Sequence, residues 1–171
     1  MRVFFDTEFT QFRDGQLLSA GFVAENDRSL YVEIDEPARK NAASSFCQGH
    51  VLSQFGLVPE SKVRSDAEAG ERIATWLMSF GVVVVLCYDY KLDWRHFERA
   101  VSAAGLWRQI EPLVQDHNIA SDANQAAALA AQEAYLASAN SPGRHHALVD
   151  AYALRERWRE RERLRAMQGD A

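Results

Sequence analysis

An apolar run that ends in two neighbouring acids opens this chain, and it constrains the fold more than any other feature. Residues Arg2 to Thr10 are rich in aromatic side chains and contain neither Gly nor Pro, which is typical of a β-strand. Because side chains alternate along a strand, Asp6 and Glu8 project from the same side. Two carboxylates at a buried strand end need a cation, a proton or water to compensate them, and a divalent metal with oxygen ligands does so. Two solvated acids at an exposed strand end are the alternative.

The composition predicts a single domain over residues 1–171. Of its 171 residues, 47% are hydrophobic and 25% are charged, and this length buries one core but is short for two domains. The net charge is −5. Proteins that coat nucleic acid nonspecifically are usually basic. Any contact with nucleic acid should therefore be local, through metals and a few cationic side chains.

Three absences in the sequence predict a cytoplasmic protein. Cys47 and Cys87 are the only cysteines and have no metal-binding spacing, which favours a reducing compartment. The chain starts directly with the predicted strand, without the apolar region of a signal peptide. No apolar run approaches the length that spans a membrane. We therefore expect a soluble protein with no membrane partner.

Hydrophobic patterns along the chain predict an α/β fold. Three strands separated by short polar turns, at residues 2–10, 17–24 and 29–34, should form an antiparallel meander. The continuous apolar run 82–86 predicts a strand buried on both faces. Irregular sequence with short helical pieces covers residues 37–65, and no element is predicted for 107–118. Helices are expected at residues 66–80, 93–104, 121–139 and 146–167. The prediction is a mixed sheet flanked by helices, with ligands bound at the strand ends.

Two further acids lie where the strand of residues 82–86 leads into a helix. Asp89 and Asp93 lie on either side of the start of that helix. The helix dipole and the free N–H groups of the first turn favour a carboxylate at this position. Either acid could instead serve only as a helix cap.

Asp150 lies in an otherwise apolar helical stretch and needs a partner, for which a metal is a good candidate. His146 precedes it by four residues and would share its helix face. His145 precedes Asp150 by five residues, so its side chain would point in a different direction in a continuous helix. Pro142 and Gly143 predict a loop before the helix, and a loop would allow the His145 side chain to lie over the site instead. Periodicity alone favours His146.

The motifs above, taken in order, resemble those of a known family. Asp6-Thr7-Glu8, an acid after the later strand, and His145 five residues before Asp150 are similar to the DEDDh 3′–5′ exonucleases, which share a ribonuclease-H-like fold. The segment from His145 to Ala151 closely matches their third motif. Phe5-Asp6-Thr7-Glu8-Phe9 and His50-Val51-Leu52 look most like the small single-domain exoribonucleases of mycobacterial type. The resemblance spans almost the whole chain.

This resemblance implies a two-metal mechanism. Asp6, Glu8, Asp93 and Asp150 would bind two Mg²⁺ or Mn²⁺ ions, and His145 would be the general base. The enzyme would release nucleoside 5′-monophosphates from 3′ ends. The family spacing favours His145 over His146.

The middle motif departs from the usual Asn-x-x-Phe-Asp pattern. In the register that we favour, Asp89 stands at the Asn position, Leu92 at the Phe position and Asp93 at the metal position. The other register makes Asp89 the ligand, and both stay open. Phe9 and Thr10 are candidates for contacts to the terminal base and sugar, with core packing as the alternative for Phe9.

The sugar and the oligomeric state depend on the resemblance alone. RNA is favoured over single-stranded DNA because the most similar branch degrades RNA. The charged run at residues 154–165 predicts a solvated helix with ion pairs. Trp158 within that run is a candidate contact in a homodimer, since members of the branch form dimers.

Two other functions fit parts of the sequence. A phosphatase of the haloacid-dehalogenase type also begins with a strand ending in an acid, but Glu8 stands where its second Asp is required. A catalytically inert nucleic-acid-binding relative would keep the fold and would bind metal without turnover.

Overall fold

The computed structural model describes residues 1–13, 15–122, 126–139 and 142–169. Within these residues a six-stranded sheet has the order β4-β3-β2-β1-β5-β6. The strands are β1 (Arg2–Phe9), β2 (Leu17–Ala24), β3 (Ser29–Ile34), β4 (Lys62–Val63), β5 (Val84–Tyr88) and β6 (Val114–Asn118). The first three are antiparallel, whereas β4 runs parallel to β3, β5 to β1 and β6 to β5. The predicted mixed sheet, with an antiparallel meander and parallel strands, is confirmed.

Helices cover both faces of this sheet. They are α1 (Pro37–Asn41), α2 (Ser45–His50), α3 (Asp66–Met78), α4 (Lys91–Ala103), α5 (Trp107–Ile110), α6 (Ala126–Ser138) and α7 (Ala147–Gly169). Phe5 of β1 packs with Ile73 of α3 and Phe97 of α4 in the larger core. Phe4, its neighbour in β1, faces the opposite way and packs with Cys87 and with Leu154 of α7. The alternation of side chains along β1 thus supplies both cores.

The strand predicted at residues 82–86 is displaced. Val82 and Val83 are 52% and 46% exposed, and β5 begins only at Val84. Gly81, with φ of +67°, ends the preceding helix, and the two valines connect this turn to the sheet. An apolar run does not distinguish a buried strand from the exposed connection that leads into it.

Strand β6 lies in the segment 107–118 for which the sequence predicts no element. It pairs with β5 at one edge of the sheet, and Gln115 and Asp116 in its centre are exposed. Polar side chains are common on edge strands because they discourage pairing with other chains. The same polarity removes the hydrophobic alternation by which a strand is recognised.

Gly21 in β2 allows helix α7 to approach the sheet closely. A methyl group at this position would overlap the backbone of Ala147 and Leu148, at the start of α7. Only glycine permits this contact. The N-terminal turn of α7, with Asp150, is thereby held against the central strands.

The charged run in α7 is only partly solvated. Arg155 and Arg161 are buried, and Trp158 packs on Phe4 with their ring centroids 5.4 Å apart. The guanidinium of Arg2 lies over the Trp158 ring. The predicted ion pairs are present, as between Arg159 and Glu156, but the helix is not solvated along its whole length. Trp158, a candidate for a dimer contact, packs within its own chain.

None of the helices in the described part of the chain has the length and apolar character needed to cross a membrane.

Candidate active site

Acidic side chains from separate parts of the chain converge where β1 ends. Potential ligand atoms of Asp6, Asp89 and Asp93 lie within 4.8 Å of one another. The potential ligand atoms of a second group, Glu8, His145 and Asp150, also lie within 4.8 Å of one another. All six residues line one open pocket. The structure therefore brings together the five residues predicted from the sequence, and Asp89 with them.

The sheet topology explains this convergence. Strands β1 and β5 are parallel neighbours, with Phe4 opposite Cys87, so their carboxyl ends meet at the same edge of the sheet. The chain leaves β5 at Tyr88 and enters α4 at Lys91. Asp89 lies in this connection, and Asp93 lies in the first turn of α4.

Thr7 holds one carboxylate oxygen of Asp93. Oδ1 of Asp93 accepts hydrogen bonds from the hydroxyl of Thr7 at 2.7 Å and from the Thr7 backbone N–H at 3.2 Å. Its Oδ2 is buried and has no hydrogen-bond partner among the described residues. A buried carboxylate oxygen without a partner is costly, and a bound cation would satisfy it. The donor set therefore fits a hard divalent metal, whose ligands are oxygen atoms.

Asp89 has a different environment. Its side chain is about one-third exposed, and its Oδ2 lies 3.9 Å from Nη1 of Arg157 on α7. Burial raises its pKa, and the positive charge of Arg157 opposes this shift. Asp89 thus has a nearby cation of its own, whereas Asp93 has an unpartnered oxygen. This difference makes Asp93 a better candidate than Asp89 for binding a metal.

The two adjacent histidines have opposite environments. Nδ1 of His145 lies 3.9 Å from Oε1 of Glu8, and the His145 backbone N–H donates to Oδ2 of Asp150 at 2.9 Å. His146 is buried and stacks on Tyr31 with a centroid distance of 4.2 Å. Helix α7 begins only at Ala147, so the periodicity that favours His146 does not apply to either histidine.

Burial and mutual repulsion raise the pKa values of the clustered acids. Burial is the largest cause for each, and neighbouring carboxylates add to it. The pKa of Asp6 lies well above its usual value, that of Glu8 rises to about 8, and those of Asp93 and Asp150 rise to about 7. Bound cations would reverse these shifts, because they stabilise the ionised carboxylates.

The pKa of His145 shifts downwards. Burial is the main cause, and the nearby charges of Arg144 and His50 act in the same direction. The imidazole is therefore neutral at pH 7 and can accept a proton.

Aromatic side chains form much of the remaining pocket wall. Phe12 is 76% exposed, and Phe46 and Tyr90 are about half exposed. Phe9 also lines the pocket, where it stacks on His96 at 4.9 Å. The wall thus offers flat apolar surfaces beside the acids.

Of the two candidates for contacts to the terminal base and sugar, only Phe9 lines this pocket. Thr10 is buried, and its hydroxyl accepts a hydrogen bond from the Gln16 N–H at 3.0 Å. The suggested contact of Thr10 with a sugar is therefore not supported.

Several residues at the pocket were missed in the sequence. Phe12 and Phe46 lie in segments that read as turn and irregular loop, and an aromatic side chain in such a polar segment is the one signal that was present. Arg144 is the only Lys or Arg among the described residues that line the pocket, and it forms an exposed ion pair with Glu133. Thr7 is needed to orient Asp93, but no local pattern indicates that role.

Comparisons with protein-family models and with curated proteins give no match for this chain.

Proposed function

We propose that the protein is a metal-dependent 3′–5′ exoribonuclease of the DEDDh type with a ribonuclease-H-like fold. One observation carries this proposal: Asp6, Glu8, Asp93, His145 and Asp150, which are far apart in the sequence, converge in one open pocket. The order of these residues along the chain and their chemistry match the motif that the sequence resembles.

Asp6, Glu8, Asp93 and Asp150 would hold two Mg²⁺ or Mn²⁺ ions. Their oxygen donors suit either metal, and the unpartnered Oδ2 of Asp93 together with the raised pKa values supports a cation at this point. When bound, such ions supply Lewis acidity to the attacking water and stabilise charge on the phosphoryl group and leaving oxygen.

His145 would act as the general base. It borders the acid cluster, is partly accessible and is neutral at pH 7, so it can take a proton from the attacking water. The water oxygen forms a bond to phosphorus as the bond from phosphorus to the 3′ oxygen breaks. The 3′ oxygen takes a proton from solvent water and remains as the terminal hydroxyl of the shortened strand, and the released product is a nucleoside 5′-monophosphate.

The pocket walls support a nucleotide substrate. Phe12, Phe46 and Tyr90 present exposed rings on which bases can stack, independently of sequence. Arg144 would contact a phosphate through its guanidinium, in competition with Glu133. The choice of RNA over DNA rests on the resemblance to exoribonucleases, and a 3′–5′ exodeoxyribonuclease of the same fold is the alternative.

A digestion of 5′-labelled single-stranded RNA and DNA of one sequence tests this proposal. The wild type is compared with Asp6→Asn and with the control Glu60→Gln, which changes an exposed acid beside the edge strand β4. We expect a ladder that shortens from the 3′ end, with release of 5′-monophosphates, for the wild type and the control with Mn²⁺. Chelator or Asp6→Asn should abolish it.

Two other results would refute the exonuclease. A folded protein that binds Mn²⁺ and RNA but cleaves neither polymer would be a binding relative. A covalent phosphate on Asp6 after incubation with a phosphate ester would indicate a phosphatase.

A further inference from the structure

The side chain of Gln54 joins two segments that are far apart in the sequence. Its Oε1 accepts a hydrogen bond from the Gly143 N–H at 2.7 Å, and its Nε2 donates to the Arg144 carbonyl at 2.8 Å. The same Nε2 donates to the His50 carbonyl at 2.8 Å. One amide group therefore holds the backbone of two successive residues, Gly143 and Arg144, immediately before His145.

The backbone at His145 needs such support. Its φ is +67°, in the left-handed region that non-glycine residues rarely adopt. A residue persists in this region when surrounding contacts hold it there. Oδ2 of Asp150 binds the His145 N–H from one side, and Gln54 holds the preceding residues from the other.

The imidazole of His145 contacts the same segment that carries Gln54. The ring of Phe46 meets it edge-on with a centroid distance of 5.0 Å, and the ring of His50 lies 6.2 Å away. Both residues belong to α2, and Gln54 follows in the short 3₁₀ turn after this helix. Residues 45–54 thus contact both the backbone before His145 and its ring.

We infer that Gln54 is a positioning residue that holds the His145 imidazole at the acid cluster. The inference rests on the proposed function, because the group being held is the proposed general base. Gln54 itself does not border the acids and is not among the residues that line the pocket. Its effect on the reaction is therefore exerted through the 143–145 backbone. A misplacement of about 1 Å costs on the order of 100-fold in rate.

Gln54→Met is the variant that tests this role. Methionine is unbranched and of similar length, so it removes the amide with little change in volume. Gln48→Met is the matched control, because Gln48 is an exposed glutamine of α2 whose Nε2 donates to the nearby Ala43 carbonyl at 2.9 Å. Both variants lose a hydrogen bond to the backbone of the local segment, to the His50 carbonyl in Gln54→Met and to the Ala43 carbonyl in Gln48→Met. Only Gln54→Met also loses the bonds to residues 143 and 144.

Hydrogen exchange at the Gly143 amide, measured by NMR without metal, reports on the contact directly. We expect exchange at Gly143 to be at least tenfold faster in Gln54→Met and unchanged in Gln48→Met. Equal protection of Gly143 in the wild type and in Gln54→Met would overturn the inference whether or not the protein is a nuclease.

Kinetics then separate positioning from general stability. We expect Gln54→Met to lower kcat roughly 10- to 100-fold, with KM and the calorimetric Kd for Mn²⁺ within twofold of the wild type. In a His145→Ala background the same substitution should change kcat less than twofold, because the positioned group is gone.

Two kinetic results would overturn the inference. One is that Gln54→Met lowers kcat by the same factor in the wild-type and His145→Ala backgrounds. The other is that Gln48→Met lowers kcat as much as Gln54→Met does. If His145→Ala keeps full activity, the assignment of the base fails and the inference fails with it. If only the Gln54→Met results fail, the proposed function stands.

Discussion

Replacing Glu8 by Gln should stabilise the metal-free protein while it abolishes metal-dependent activity. Glutamine has the shape of the protonated acid but cannot ionise. Burial and the charges of Asp150 and Asp93 raise the pKa of Glu8 from 4.5 to about 8. The folded state therefore holds a proton on Glu8 at pH values where the unfolded chain has released it.

The sign of the pH dependence follows from this shift. Because the folded pKa lies above the unfolded one, the contribution of Glu8 to stability is fully present below about pH 4.5 and declines as the pH rises to about 8. One pKa unit corresponds to about 1.4 kcal/mol, so the full penalty above pH 8 is on the order of 5 kcal/mol. Structural relaxation reduces this penalty. At pH 8 we therefore expect the free energy of unfolding of Glu8→Gln to exceed that of the wild type by about 2–3 kcal/mol.

Urea unfolding at pH 5 and pH 8, with chelator and with excess Mn²⁺, measures these differences. In chelator the free energy of unfolding of Glu8→Gln should exceed that of the wild type at pH 8 and nearly equal it at pH 5. Mn²⁺ at 100 times its Kd should stabilise the wild type by about 2.7 kcal/mol and the variant far less. A variant that is less stable than the wild type at pH 8 in chelator, or a gain that is independent of pH, would refute the reasoning. Glu60→Gln, which changes an exposed acid, should leave both curves unchanged.

Three further predictions concern the pocket. Asp93→Asn should lower kcat more than 100-fold and weaken Mn²⁺ binding in calorimetry, whereas Asp89→Asn should have a smaller effect on both. Of these two acids, Asp93 is the one with a buried oxygen that has no partner among the described residues; equal effects would contradict this ranking. Phe12→Ala should raise KM for single-stranded RNA about tenfold without changing Tm, since the ring is exposed and stacking contributes about 1–3 kcal/mol per base; an unchanged KM would exclude a stacking role. Arg144→Ala should raise KM about tenfold and reduce its salt dependence, as expected for a lost phosphate contact; an unchanged salt dependence would exclude that contact.

The acid cluster is costly to the metal-free fold because its acids repel one another in a buried position. The pKa values of Asp6, Glu8, Asp93 and Asp150 are all raised, and burial is the first cause in every case. An acid with a cationic partner behaves differently: the hydrogen bond and positive charge of Arg155 lower the pKa of Asp27. Several acids with raised pKa values in one open pocket are typical of a functional site.

Hydrophobic periodicity in the sequence was enough to predict the first three strands and the class of the fold. Alternation with a period of two is a local property, and it also puts Asp6 and Glu8 on one side of β1. The same local rules failed at β6, whose polar residues form a sheet edge, and at Val82 and Val83, which are apolar but exposed. A local pattern does not record which strand lies at the edge of the sheet.

The sequence by itself determined which acids and histidines were candidates, whereas the tertiary structure decided how they are arranged. It placed His145 beside Glu8 and buried His146, and it showed that one oxygen of Asp93 lacks a partner among the described residues. The hydrogen bonds of Thr7 and of Gln54 that orient these groups join residues 86 to 90 positions apart. Such contacts depend on how β1, α4, α7 and the segment after α2 pack together, so no spacing within a short motif contains them.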